Sequence, residues 1–391
     1  MKAKRRRYIR LILAVLCVWF MAVPGPCKAA EEGHADGGSE EMEEEILSQF
    51  DFDEIDESLK ELFPEERLDF KQVAAALISG DLELTAGLFN RLVSEQFTYA
   101  VRSGKDQLAH MLLIAVIAAV FSNFSKVFQS RQLSEISFYA LYLLMIALSL
   151  NTFESVAEWA ESGIGDLTSF MGVFCPLYFA AVAAAKGSVT AVAFYNLVLF
   201  LIYLVELLIT SILLPMIHIY MMVRVLNDLS GEAYLTRFAE LIEMGVSWSL
   251  KTLLACVVGI NVVQGMISPA IDSVKRSILT RGAEAIPGVG DALGGMAEVA
   301  VGAAVLVKNG IGMAGALICV SLCLIPLVQT ACIVIMYKLA AAVIQPVSDP
   351  RITGCIDTVG EGCRLLLRVI FTTGVLFLLT VAVVTAVTSG T

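Results

Sequence analysis

Two stretches of this sequence carry almost no charge for longer than a water-soluble fold tolerates. Between Asp166 and Glu206 the only charged residue is Lys186, and between Glu298 and Asp349 only Lys308 and Lys338 occur. Such runs cannot be hydrated loops, and a helix that crosses a bilayer needs roughly 20 mostly apolar residues. Seven apolar runs are read as spans: Leu108 to Phe124, Ile136 to Phe153, Phe170 to Ala185, Val189 to about Leu214, Gly245 to Ile267, Gly310 to about Ile344, and Leu365 to Thr388. Across all 391 residues 57% are apolar and 17% charged, which places the chain among polytopic α-helical membrane proteins. The fold class expected is all-α, with about seven spans. The run from Gly310 to Ile344 contains Pro326 and reads as a broken helix or a tight hairpin, so the side of the C-terminus stays open.

The formal charge of −11 describes no part of the chain. Residues 1–30 hold seven Lys or Arg and no acid, with a basic start, the apolar run Leu11 to Val23 and the small residues of Cys27-Lys28-Ala29-Ala30 in that order. That is the layout of a secretory signal peptide cleaved near Ala29; an uncleaved anchor is the alternative. Residues 31–83 carry 19 acids against Lys60, Arg67 and Lys71, so the segment is −16. Its start, through Glu45, is too charged and too poor in apolar residues to fold, and reads as a tether. Beyond it Phe52, Ile55, Leu59 and Leu62, then Phe70, Val73 and Leu77, then Leu84, Leu88 and Leu92 recur at helical spacing, with Pro64 and Gly80 between them. The domains expected are therefore a signal peptide (1–30), an acidic extracytoplasmic segment of amphipathic helices (31–107), a first bundle of five spans (108–267), and a Gly-rich segment with the C-terminal spans (268–391).

Cytoplasmic loops are enriched in Lys and Arg. With the acidic segment outside, the loops bearing Lys126 and Arg131, Lys186, and Lys275, Arg276 and Arg281 fall inside. The alternate loops, Glu154 to Asp166 and Asp228 to Glu243, then fall outside. Cys175, Cys256, Cys319, Cys323 and Cys332 lie in apolar runs as packing residues. Cys355 and Cys363 share one polar loop, where a disulfide is open to them if that loop is extracytoplasmic.

Nine of the 29 glycines lie between Gly282 and Gly315. They include Pro287-Gly288-Val289-Gly290-Asp291, Gly294-Gly295, and Lys308-Asn309-Gly310-Ile311-Gly312-Met313-Ala314-Gly315. The last matches G-x-G-x-x-G, but an apolar span follows it and the next acid is Asp349, so a dinucleotide site is not expected. Close helix packing or a re-entrant, pathway-lining segment are the two readings. Glu206, alone in an apolar span, is the strongest single candidate for an ion or proton relay, or for a polar helix contact. Asn261 and Gln264 share a helix face as interhelical hydrogen-bond partners. Lys251, Lys308, Lys338 and Arg368 lie near span ends and read as snorkelling cations. His34, His110 and His218 form no metal motif, and neither a phosphate-binding G-x-x-x-x-G-K-[ST] nor a G-x-S-x-G occurs. No catalytic constellation, cofactor, metal or nucleic-acid partner is expected.

The order of these features, with Pro287 to Gly295 and Lys308 to Gly315 ahead of a long apolar run, resembles the stage III sporulation protein AE family of endospore-forming bacteria. The resemblance implies a multi-pass protein of the mother-cell membrane surrounding the forespore, its N-terminal segment extracytoplasmic. It further implies a subunit of a channel or secretion-like complex needed for late forespore gene expression. The partners implied are other stage III sporulation membrane proteins, an ATPase, and the forespore stage II protein Q, with room for a homo-oligomer. An independent secondary transporter is the competing reading.

Overall fold

The computed structural model describes residues 47, 50–62, 70–79, 97–117 except 103 and 107, 131–186, 188–230, 234–283, 290–346 and 348–389. Every described residue belongs to one compact unit, residues 42–391. The signal peptide and tether lie outside the described residues. Among the described residues each regular element is a helix: α1 Asp53–Leu62, α2 Phe70–Ser79, α3 Arg131–Lys186, α4 Ser188–Leu208, α5 Leu214–Ser230, α6 Thr236–Ala283, α7 Gly290–Ile344 and α8 Pro350–Ser389. A π-turn, Ile209–Leu213, joins α4 to α5. Residues 97–102, 104–106 and 108–117 are also helical.

Five of these helical stretches are long and apolar enough to cross a membrane: Tyr139–Ala185, Tyr195–Asp228, Thr236–Ile260, Gly302–Ile344 and Pro350–Thr385. Two expected spans, Ile136 to Phe153 and Phe170 to Ala185, turn out to be parts of one helix. The acidic stretch between them is not a loop but the middle of α3. Glu154, Glu158 and Glu161 recur at spacings of four and three, forming one exposed stripe. Val156, Ala157, Ala160 and Ile164 bury the opposite side. Helical periodicity therefore carries the chain through the acids, and at 1.5 Å per residue the 56 residues of α3 run about 84 Å. The run Gly310 to Ile344 is likewise neither hairpin nor broken segment. It is the last 35 residues of the 55-residue α7, which runs unbroken through Pro326.

Helices α3, α7 and α8 pack on one another pairwise; α5 and α6 lie on α8, α4 and α1 on α3, and α2 on α7. Helices α7 and α8 are antiparallel: Gly312 lies against Thr385, Gly374 against Cys323, and Lys338 beside Asp357. Glycine sets these approaches. A Cβ at Gly315 would come within 2.2 Å of the Phe174 ring edge, one at Gly312 would come within 3.0 Å of Tyr178, and one at Gly163 of α3 would meet Pro326 at 2.5 Å. Phe170, Phe174 and Tyr178, four residues apart along α3, stack with centroids 5.6 and 5.5 Å apart, and Gly312 and Gly315 make room for the last two. Each such ring pair contributes about 0.5–1.5 kcal/mol beyond the area it buries. The stack continues into the acidic segment through Phe70 and Phe52, at 6.3 and 5.8 Å. That contact, with Ile55, Leu59 and Ala74 buried, docks α1 and α2 onto the bundle. The outer surface is apolar over much of its extent. Phe200, Tyr203, Leu207, Ile219, Met222, Leu241, Met244, Trp248, Ile335, Leu339 and Val343 are all exposed.

Candidate functional site: a charged seam on three helices

Asp349 and Pro350 start α8 as an N-cap and a first-turn proline, and Asp349 Oδ1 accepts from the Arg351 backbone N–H at 2.9 Å. From that start, spacings of four, three and four put Asp357, Glu361, Arg364 and Arg368 on one face of α8. The neighbouring helices answer with opposite charge. Lys338 of α7 donates to Asp357 Oδ1 at 2.6 Å and to Glu361 Oε1 at 2.5 Å. Arg364 pairs with Glu361 along α8 and with Glu243 of α6, the latter at 3.2 Å. Arg368 reaches Glu243 at 3.6 Å and donates to Ser247 Oγ at 3.4 Å. Asp357, Lys338, Glu361, Arg364, Glu243 and Arg368 thus form one continuous chain of alternating sign, three acids against three bases. Glu361 and Glu243 are each shared by two cations, so either can exchange one partner for the other without being left alone.

Behind the seam the polarity continues inward. Thr358 donates to Asp228 Oδ2 at 2.8 Å. Arg224 donates to the Tyr220 hydroxyl at 3.2 Å and lies 5.6 Å from that ring's centroid. Deeper still, Thr152 and Tyr337 hydroxyls meet at 3.0 Å, and Ser149 Oγ lies 3.1 Å from Cys355 Sγ. Buried polar groups of this kind fix the mutual register of α3, α5, α7 and α8, because each would be costly without its partner.

Two cations read from the sequence as snorkelling, Lys338 and Arg368, are instead paired members of the seam. Lys251 is exposed on α6, whereas Lys308 is fully buried on α7. Among the sequence candidates, Gly310, Gly312 and Gly315 are buried on α7, where Gly310 gives room to Ile78 of α2. Gly290, Asp291, Gly294 and Gly295 fall in the first turns of α7, and Asn261 and Gln264 lie three residues apart on α6. Pro287 and Gly288 lie outside the described residues. Glu206 is half-buried at the end of α4, its carbonyl accepting from Thr210 Oγ1 at 2.7 Å as the π-turn begins. Cys355 and Cys363 are free thiols on one helix, not residues of a loop. Among the described residues no three His, Cys, Asp or Glu are grouped to hold a metal ion.

Asp357, Glu361 and Arg364 escape the sequence reading because the polar residues after Asp349 read as a loop, and Asp228 and Glu243 because they bound a stretch that reads as another loop but lies mostly in α5 and α6. The available signal was the 4-3-4 spacing of charge, which only a helix turns into a stripe.

No solved structure matches the chain. The protein "Stage III sporulation protein AE" of Bacillus subtilis (strain 168) is 24% identical over 399 residues, covering 99% of this chain and 98% of the relative. The match therefore takes in the acidic segment, the seam and α8. The family model described as Stage III sporulation protein AE matches residues 68–388, which takes in every helix from α2 to α8, and the chain belongs to that family.

Proposed function

We propose that this sporulation protein is a membrane subunit of the channel or secretion-like apparatus that joins mother cell and forespore, and is needed for late forespore gene expression. The observation that carries the reading is family membership along a bundle with five long apolar helices. In this reading the chain loses its signal peptide and sits multi-pass in the mother-cell membrane around the forespore, its acidic segment extracytoplasmic. Its partners are the other stage III membrane proteins and, through the complex, the forespore stage II protein Q. The sequence carries no phosphate-binding loop motif, which fits energy supplied by a partner ATPase. A clean deletion in the source organism tests this. Completed engulfment with a silent late-forespore reporter supports the reading, and normal spores reject it. Gentle solubilisation that returns the chain alone, without other stage III proteins, would also reject it.

The π-turn beside Glu206 favours a second reading as a secondary transporter, since such turns recur at functional sites. Glu206→Gln in reconstituted vesicles checks it: unchanged uptake of a solute that the protein carries removes Glu206 from any coupling role.

A further inference from the structure

The outward face of α8 changes character along its length. Asp357, Glu361, Arg364 and Arg368 occupy it first; Phe371, Val375 and Ala382 continue the same stripe with apolar side chains. In the charged half, side-chain exposures of 48% for Asp357, 21% for Glu361, 36% for Arg364 and 40% for Arg368 leave these groups half open to the surroundings. The helices on either side carry large apolar side chains on their outer faces at the same level, on α6 beside the exposed Arg237–Glu240 pair. On α7 these are Ile335, Leu339 and Val343, which bracket Lys338; on α6 they are Phe238, Leu241, Met244 and Trp248, which bracket Glu243. Val343 and Phe238 each lie five residues beyond the seam, about 7 Å further along their helices. The apolar rims therefore continue past the charges in the direction away from the apolar half of α8.

This arrangement suits neither plain solvent nor plain lipid. Water would leave two large apolar rims exposed, whereas lipid would desolvate six half-open charges. Ionisable groups at bilayer depth face a bundle interior or a water-filled cavity. The seam is already neutral by its own pairing, so no excess charge remains for a partner's side chains to neutralise. What it still requires is hydration.

We propose that the seam of Lys338, Asp357, Glu361, Arg364, Glu243 and Arg368 lines a water-filled path at membrane depth, with lipid against its apolar rims. The inference rests on the membrane-subunit reading above and deepens it: the path takes water and small hydrophilic solutes, and mobile ions of either sign find a paired partner along it. Because each shared acid touches two bases, a passing ion displaces one contact while the other holds the helices together.

The test is thiol accessibility in intact membranes, in a chain whose exposed Cys256 is replaced by Ser. Thiols react as thiolates, which form in water and not in lipid, so Ser247→Cys beside Arg368 and Asp357→Cys should react with a charged, membrane-impermeant thiosulfonate about tenfold or more faster than Leu241→Cys and Leu339→Cys. Ser247→Cys exchanges only oxygen for sulfur and so keeps the measurement sound if loss of Asp357 disturbs folding. Four equally slow sites would overturn the proposal, because lipid or protein then covers the seam. Four equally fast sites would overturn it as well, because the whole level then stands in bulk water. Either failure leaves the deletion phenotype untouched, while normal spores after deletion would leave the labelling pattern standing.

Discussion

Gly172 and Gly315 stand on different helices and meet different surroundings. A Cβ at Gly172 would find nothing within 4 Å, whereas one at Gly315 would collide with the fully buried ring of Phe174. Gly172→Ala should therefore raise stability by about 0.5–1 kcal/mol through helix propensity alone, and Gly315→Ala should lower it by about 1–3 kcal/mol through overpacking. Thermal unfolding of the purified variants in one detergent checks the pair, and shifts of the same sign and size would show that no aromatic cradle exists. Charge gives a second contrast. Glu361 joins Lys338 to Arg364, while Glu240 pairs only with Arg237, whose side chain is 92% exposed. Glu240→Gln should change stability by less than about 0.5 kcal/mol, in keeping with exposed pairs. Glu361→Gln removes one acid from two cations at once and should cost more, about 1–2 kcal/mol, an excess that falls as salt rises. Urea unfolding in detergent at low and high salt reads both. At this scale the sequence singled out the glycines on α7 but not what they face. Spacing names a residue that permits close approach, and only the fold supplies the ring that uses it.

At the scale of elements, helix is legible almost everywhere, while helix ends are not. The expected breaks that the structure lacks fall at clusters of acids or at a proline. The acids of residues 154–161 sit on one stripe of α3, the charges after Asp357 on one stripe of α8, and Pro326 nests against Gly163. Polarity confined to one face does not end a helix, so the length of a polar stretch is a poorer guide than its period. The cysteines of α8 follow from this. Eight residues along one helix separate Cys355 from Cys363 by about 12 Å, and a disulfide needs Cα atoms within about 7 Å. Both thiols are also buried, at 1% and 0% exposure. Denaturing alkylation without reductant, followed by mass spectrometry, should find both carrying the label. A bridged pair would require α8 to be broken between them.

For the whole molecule the sequence announces a membrane protein but not which helices meet. Helices that are apolar around most of their circumference, as α4 and the later part of α7 are, present no polar face to mark the outside, so neither partner nor orientation can be read from period. What the assembled bundle adds is a perimeter. Phe200 and Tyr203 on α4 are 59% and 60% exposed while the cation Lys308 on α7 is fully buried, an inversion that hydrocarbon as the solvent explains. A sharp prediction follows at Phe200. Were that surface in water, Phe200→Arg would be an ordinary exposed substitution worth less than about 0.5 kcal/mol. In a bilayer a central arginine costs about 2.5–3.5 kcal/mol on insertion scales, and more where the side chain cannot reach the interface. Phe200→Arg should therefore sharply reduce the protein recovered in the membrane fraction, while Glu57→Arg, exposed on α1 outside the long apolar helices, should leave it unchanged. Equal recovery of the two variants would place the α4 perimeter in water or beneath a protein partner.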